Sequence, residues 1–326
     1  MKSVWGDTSV AKADLERDAR YRWFVEARGE LERSGDLVEF SDPTGGAIRK
    51  VAEIGLFSIY RCAETGFRYA NPRLSTAAAL RHFAEADYSD YFATVEKTKE
   101  TRREIAYRPL LDFVASHCPA PASILEVGCG SGALLEFLRD AGGYEVEGVE
   151  IAPDARPYQD AKRLKVYQEP IESLRPGRVF SVVLMWSVLD HLADPLAALN
   201  ACNRVLEPGG AIVIGNVNTD GFDHLLMGYD NYTFRPPGRV NYYNLRALSA
   251  HLSACGFEVV DVSTPGRLDI EMVRSYWAED RSRPRMPFLD DLLTNPSHCV
   301  AAAKFQDFLS SNCLSGYQRI LARKRG

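Results

Sequence analysis

The chain has 326 residues, 46% of them apolar and 25% charged, and a formal net charge of −5 at pH 7. That apolar share supports a sizeable core in one large domain or two, and the acidic balance, without a basic stripe or an RNA-binding signature, argues against a nucleic-acid partner. Seven scattered cysteines, an odd number, fit reduced thiols better than a disulfide framework. No apolar run reaches the ~20 residues needed to span a bilayer, and Met1 to Asp7 lack a signal-peptide core, so a cytoplasmic chain without membrane insertion is expected.

In chain order, Ala11 to Arg33 is charged and helix-like, with Leu15, Tyr21, Phe24 and Leu31 available for burial. Ser41 to Gly46 is a turn cluster, and Val51 to Tyr60 reads as β structure. Ser75 to Ala84 has helical spacing behind a Ser75 cap, and Tyr88 to Phe92 punctuates it. Arg102 and Arg103 sit on a helix running into Leu110 to Val114, either as a solvated face or as a reach for a carboxylate. Residues 1–118 therefore read as an N-terminal α+β extension, ahead of a body over 119–326.

That body opens on Ile124-Leu125-Glu126-Val127-Gly128-Cys129-Gly130-Ser131-Gly132-Ala133, a strand that turns through three alternating glycines into a helix. Glycine suits a sharp turn and a close backbone approach to a ligand, and the turn presents the N–H groups of a helix start. As G-x-G-x-x-[GA], the loop fits a dinucleotide fingerprint. As E-x-G-x-G-x-G, it resembles the first motif of class I S-adenosylmethionine (SAM) dependent methyltransferases. Tyr144 to Ile151 is a second strand ending in Glu150, a carboxylate placed to accept ribose hydroxyls, which suits either ligand.

Beyond it, Val179 to Trp186 is a buried-type strand, followed by Ser187-Val188-Leu189-Asp190-His191-Leu192-Ala193-Asp194-Pro195 and, after a helix, Arg204 to Gly210 and a further strand. The run "VLDHLADP…RVLEPGG" resembles the fourth and fifth motifs of the class I methyltransferases and decides for that family. The resemblance implies an α/β fold, a Rossmann-like seven-stranded and mostly parallel sheet flanked by helices. Its strands are expected at about 123–127, 144–150, 164–167, 179–186, 211–217, 257–264 and 316–324, with a helix over Asn244 to Cys255. It also implies that SAM is held by Glu126, Gly128, Cys129, Gly130 and Gly132, by Glu150 and Ile151, by Ile171 and Glu172 after the third strand, and by Trp186 and Ser187. No metal is implied. Phe180-Ser181 departs from the family's usual Phe-Asp.

In many bacterial relatives a zinc ribbon precedes this domain, and Tyr60 to Pro72 is similar to it. Thr65 stands where a second cysteine would be and no cysteine precedes Cys62, so a ribbon remnant held by packing alone is expected, without zinc. In such relatives the segment after a tyrosine pair like Tyr88 and Tyr91 folds over the cofactor as a lid. Two stretches, 218–243 and 266–315, are long enough to build an acceptor pocket, the second as a helical insertion before the last strand. Tyr229, Tyr232, Tyr242 and Tyr243 suit stacking on a sugar or aromatic ring, or plain packing.

The acceptor is expected to be a small molecule carrying a hydroxyl. The segment Thr264 to Asp269 and the ribbon-like stretch are similar to those of surface-polysaccharide and antibiotic-sugar enzymes, which favours a saccharide or nucleotide sugar. Methylating a hydroxyl calls for a base, and His191 is the first candidate, with Asp190 or Asp194 to orient it, and His224 the second. The readings set against this one are a nicotinamide-dependent oxidoreductase and a non-catalytic protein that binds SAM.

Overall fold

The computed structural model describes residues 18–42, 44–175 and 177–326. The expected helical residues 11–17, with Leu15, and Pro43 of the turn cluster lie outside the described residues. Helix α1 (Ala19–Ser34) starts where Asp18 accepts the Arg20 N–H and stops at Gly35, whose φ of 75° is the left-handed C-terminal stop. It buries Tyr21, Phe24 and Leu31, three of the four residues expected to be available for burial.

After β1 (Leu37–Val38), the β structure expected over Val51 to Tyr60 is two strands rather than one: β2 (Ile48–Ile54) and β3 (Phe57–Cys62) pair as an antiparallel hairpin. The break falls at Gly55, whose positive φ turns the chain under the Tyr21 ring. Next come β4 (Arg68–Asn71), β5 (Arg73–Leu74), which pairs with β1, and α2 (Thr76–Glu85), where the Ser75 hydroxyl accepts the Ala78 N–H as expected. Helices α3 (Ser89–Lys97) and α4 (Lys99–Arg102) lead through a π-turn at Arg103–Tyr107 into α5 (Arg108–His117).

The body alternates strand and helix: β6 (Ser123–Val127), α6 (Ala133–Gly142), β7 (Glu145–Val149), α7 (Arg156–Ala161), β8 (Lys165–Tyr167), β9 (Phe180–Trp186), α8 (Pro195–Val205) and β10 (Leu206–Val217). There follow α9 (Phe222–Met227), β11 (Asn241–Tyr242), α10 (Leu245–Ala254), β12 (Phe257–Ser263), helices α11 (Asp269–Glu279), α12 (Pro287–Thr294) and α13 (Cys299–Ser311), and β13 (Tyr317–Lys324). Seven strands form one sheet in the order β12-β13-β10-β9-β6-β7-β8. All neighbours are parallel except β13, which is antiparallel to both β10 and β12. The α/β fold of the sequence reading is borne out, strand for strand.

One strand boundary differs by more than a residue. Strand β10 begins at Leu206, opposite Phe180, instead of at Ala211, and its register shifts between those two residues. Pro208 has no N–H for the ladder and Gly209 has a φ of 75°, so the expected turn is a bulge inside a longer strand.

The apolar strands explain the position of the sheet. Leu125, Val183, Ile212, Ile214, Ile320 and Ala322 are fully buried on one face, while Ile124, Val182 and Leu321 are buried on the other. Burying each such aliphatic side chain contributes roughly 1.5–3 kcal/mol, which fixes register, since a one-residue slip would exchange the faces. Cys62, Phe67 and Tyr69 of the N-terminal layer pack into the first of these cores. The same layer recruits the 218–243 segment, because β11 pairs with β4 in a four-stranded sheet ordered β11-β4-β3-β2. Helices α11 to α13 gather round Ile270, Val273, Trp277, Leu293 and Ala302.

Candidate functional site

The strand order reverses direction at β6, which has β7 on one side and β9 on the other, and a crevice forms outside the strand ends at such a point. Everything the sequence singled out as a binding loop lies here. Gly128, Gly130 and Gly132 have φ of 69°, 53° and 75°, so each occupies a conformation that L side chains resist. A Cβ at Gly128 would lie 2.5 Å from Val188 Cγ2, and one at Gly132 would lie 2.3 Å from Leu164 Cδ1. The N–H groups of Gly128 and Cys129 both donate to Val149 O, which ties the loop to the end of β7. Cys129 is buried, its thiol pushed well up by burial and by the neighbouring Glu126 and Glu150 carboxylates, so it is an uncharged packing group.

Two carboxylates face this loop and differ in their partners. Glu150 accepts N–H groups from Gly130, Ile151 and Ala152, each at 2.8 Å. A carboxylate has about four acceptor positions, so about one is left for a further donor such as a hydroxyl. Glu126, at the end of β6, is 4% exposed, and its Oε2 has no hydrogen-bond partner among the described residues. Burial, then the Glu150 charge, pushes its proton affinity well above the ordinary carboxylate range. A buried carboxyl is costly to ionise, so it holds its proton unless a cation arrives to stabilise the charge.

Helix α3 covers the loop. Phe92 Cε1 lies 3.3 Å from where a Cβ at Gly130 would be, and Phe92 packs with Ala152, Ala155, Tyr88 and Tyr158. Glu96 Oε1 accepts from both Ser131 Oγ (2.8 Å) and Lys162 Nζ (2.9 Å), joining the helix to the loop and to α7. Of the tyrosine pair, Tyr91 is exposed, while Tyr88 turns its hydroxyl inward, where it is buried without a partner among the described residues. Burial raises its proton affinity, with Arg20 opposing and Glu150 adding to the rise. Arg103 pairs with Glu100 and Glu136, whereas Arg102 is buried with its Nε on Thr98 Oγ1, so the two arginines do not share one solvated face.

On the other side of β6, the end of β9 carries Trp186, tilted against Tyr317 at 5.3 Å, and Ser187, which has a φ of 56° and donates its N–H to Gly215 O. The turn that follows is held by Asn241, whose Nδ2 donates to Leu189 O and Leu192 O. His191 Nδ1 meets the carbonyl of Gly238. A carbonyl only accepts, so Nδ1 carries the proton and Nε2 keeps its lone pair. Burial, then Arg239, lowers this imidazole to about 3, so it is neutral at physiological pH.

Neither expected carboxylate orients His191. Asp194 accepts the Ala197 N–H as the cap of α8. Asp190 accepts from Asn216 Nδ2 at 3.1 Å and lies 3.9 Å from Arg239 Nε, and burial pushes it up to about 6. His224 is placed differently from the expectation too: its Nδ1 faces Asp223 Oδ1 and its Nε2 faces Thr233 Oγ1, both at 3.1 Å. Both ring nitrogens are engaged inside the fold, which leaves none for an acceptor. Ile171 is core, 2% exposed, and Glu172 beside it is half-buried with its carboxyl raised by burial. Tyr242 and Tyr243 are fully buried packing groups, while Tyr232 lies beside Arg239.

The sequence reading overlooked Asn216, Arg239, Tyr317, Phe92 and Glu96. Of these only Asn216 carried a signal, a polar residue inside an otherwise apolar strand. Among the described residues, no group of three or more His, Cys, Asp or Glu could hold a metal, and no helix is long and apolar enough to cross a membrane.

A family model described as "Methyltransferase domain" matches residues 99–262. Among curated proteins, the chain is similar to a ubiquinone biosynthesis O-methyltransferase of Xanthomonas axonopodis pv. citri, 30% identical over 169 residues that cover 47% of this chain and 70% of the relative. A protein of the same name from Xanthomonas campestris pv. campestris is 34% identical over 118 residues, 33% of this chain and 48% of that one. The chain thus spans about half the length of the first curated relatives it matches. Among solved structures, a chain from a complex of a Haloferax volcanii methyltransferase with its activator superposes with a TM-score of 0.51 at 16% identity, covering 74% of this chain and 98% of that one. That likeness is one of fold.

Proposed function

The chain belongs to the methyltransferase-domain family of class I SAM-dependent enzymes, and from that premise we propose that it transfers a methyl group from SAM to a hydroxyl of a small molecule. The observation that carries this reading is the pair of carboxyl groups at the glycine loop, Glu150 with an acceptor position to spare and Glu126 with its buried Oε2 unpartnered among the described residues. SAM fits both. Its ribose offers hydroxyls for Glu150, and its ammonium and sulfonium charges offer Glu126 the cation it lacks.

When bound, SAM supplies a methyl group already activated by the positive sulfur, so the chain has to bind, orient and exclude water. Phe92 and the Glu96 clasp hold α3 over the loop and exclude water. His191 offers a neutral Nε2 that accepts a hydrogen bond from an acceptor hydroxyl and aligns its oxygen. Asp190, with a proton affinity near 6, is the second group able to take up the proton.

For the acceptor, the likeness of Thr264 to Asp269 to sugar-pathway enzymes supports a saccharide or nucleotide-sugar hydroxyl. A second reading has its own observation: the relatives are named for ubiquinone biosynthesis, which supports a ring hydroxyl on a quinone precursor. Methyl-labelled SAM should be incubated with nucleotide sugars and with catechols, and the labelled product identified by mass spectrometry. Calorimetry with S-adenosylhomocysteine and with NAD tests the premise, and preferential binding of NAD would overturn it. The pH profile separates the two candidate bases: Asp190 gives a rising limb centred near 6, whereas His191, neutral above about 3, gives none between pH 5 and 8.

A further inference from the structure

Arg239 is a partly buried cation beside the turn after β9. It follows the Pro236-Pro237-Gly238 stretch and reaches the turn after β9. Its Nε is buried without a partner, and its side chain makes no hydrogen bond among the described residues. What it has is the Asp190 carboxylate at 3.9 Å, beyond hydrogen-bond distance, and the Tyr232 ring at 5.8 Å. A guanidinium presents five N–H donors in a planar fork; here the Nε–H is buried and unmade, which is costly, while the side chain keeps 24% exposure through which a ligand can reach the fork.

The surroundings repeat the signal. Arg20 reaches over from α1, and its Nη1 lies 2.7 Å from where a Cβ on Gly238 would be. Its contacts to Asp18 are long, at 3.4 and 3.5 Å. Both arginines depress His191, and Arg20 also depresses His82, after burial as the leading cause in each. The two imidazoles are therefore uncharged hydrogen-bonding groups inside a positive field, on the wall of one small cavity that also touches Phe83 and Pro237. Asp18, Asp190 and, at His82, Glu85 oppose the field, and burial raises Asp190 to about 6. Since the whole chain carries a net charge of −5, an attraction for anions at this point has to be local.

The geometry points to Arg239, assisted by Arg20, as the site that recognises a negatively charged group, carboxylate or phosphate, on the methyl acceptor. The inference rests on the methyltransferase reading for the word acceptor, and on the array of residues alone for the anion. A planar carboxylate or a phosphate matches the guanidinium fork through two parallel N–H donors, which a lysine cannot reproduce.

Benzoate and phenyl phosphate, which share a ring and differ in the anion, are suitable probes. Each is titrated into the full chain with and without S-adenosylhomocysteine, following the Arg239 Nε–H resonance and calorimetric heat. Saturable binding of one or both is expected, with a shift of that resonance in the wild type. Arg239→Gln should weaken it by about 10- to 100-fold, the worth of a charge-assisted pair. Arg239→Lys keeps the charge beside Asp190 and should lose several-fold, which keeps the test open where the glutamine variant is unstable. A response to benzoate alone assigns a carboxylate, and one to phenyl phosphate alone assigns a phosphate. Failure of both probes to bind the wild type, or equal binding by Arg239→Gln, overturns the proposal. If the probes bind through Arg239 but S-adenosylhomocysteine does not bind at all, the anion site stands and the methyltransferase reading falls.

Discussion

Alanine at three left-handed glycines should cost different amounts, because only the surroundings differ. Gly143 has a φ of 71° and open space around a Cβ, so Gly143→Ala should cost only backbone strain, roughly 1–2 kcal/mol. Gly132→Ala adds a 2.3 Å clash, but with Leu164 Cδ1, the far end of a flexible half-buried side chain that can turn away. The total should be about 2–3 kcal/mol. Gly128→Ala meets Val188 at two methyls, 2.5 and 3.4 Å away. Valine is stiff at χ1 and cannot swing aside, so overpacking of about 1–3 kcal/mol brings the total to roughly 2–5 kcal/mol. Urea unfolding at constant m-value reads this order, and affinity for S-adenosylhomocysteine should fall for Gly128→Ala and Gly132→Ala but not for Gly143→Ala. Val188→Ala in the Gly128→Ala background should restore part of the loss, with a coupling of about 1–2 kcal/mol. Equal costs at all three glycines, or no coupling to Val188, would refute the reasoning.

Glu150→Ala should abolish detectable binding of S-adenosylhomocysteine in calorimetry and also destabilise the loop, since three backbone N–H groups lose their acceptor; unchanged affinity would remove Glu150 from the site. Glu96→Gln should loosen α3 by weakening its bonds to Ser131 and Lys162, seen as faster amide exchange over 89–97, and a helix that exchanges as in the wild type would show that Phe92 alone holds it. In stability against pH, His191 and Asp190 oppose each other. The imidazole is lowered from 6.5 to about 3, so its stability contribution is present above 6.5 and is lost as pH falls toward 3, while Asp190, raised from 3.8 to about 6, withdraws stability as pH rises between those values. His191→Ala should therefore lose stability, relative to wild type, as pH rises from about 4 to 6, and Asp190→Asn should gain it, by urea midpoints at each pH; parallel profiles for all three proteins would falsify both assignments.

The central strands β6, β9 and β10 were legible because each carries a run of apolar residues stopped by glycine or a polar cluster, as a strand buried on both faces of a parallel sheet does. The glycine loop was legible for a related reason: its demand for positive φ is local, so it is written in consecutive letters. The hairpin at Gly55 was not, since the residues on both sides of it are strand-like and only Tyr21, on another element, closes over the turn. Strand β11, two residues long, exists only because β4 is there to pair with it.

The acceptor side was opaque in the same way, and more so. The partner of His191 is a carbonyl 47 positions away that fixes which ring nitrogen carries the proton, while burial and Arg239, acting against that contact, make the ring a neutral acceptor instead of a group titrating near 6.5. A histidine in sequence carries an ordinary proton affinity, and a buried one carries that of its neighbours. Asp190 shows the converse: sequence proximity suggested that it orients His191, yet its carboxylate turns to Asn216 and Arg239. Adjacent residues on a tight turn point in different directions, so adjacency is weak evidence for a shared hydrogen bond. The proposed cofactor side is thus encoded by one continuous loop and its neighbouring strand end, whereas the proposed acceptor side is assembled from distant pieces, of which Asn241 and Arg73 tie the turn after β9 to β5 and β11. On that proposal, substitutions far apart in the chain retune the acceptor pocket while the glycine loop and its carboxylates stay unchanged.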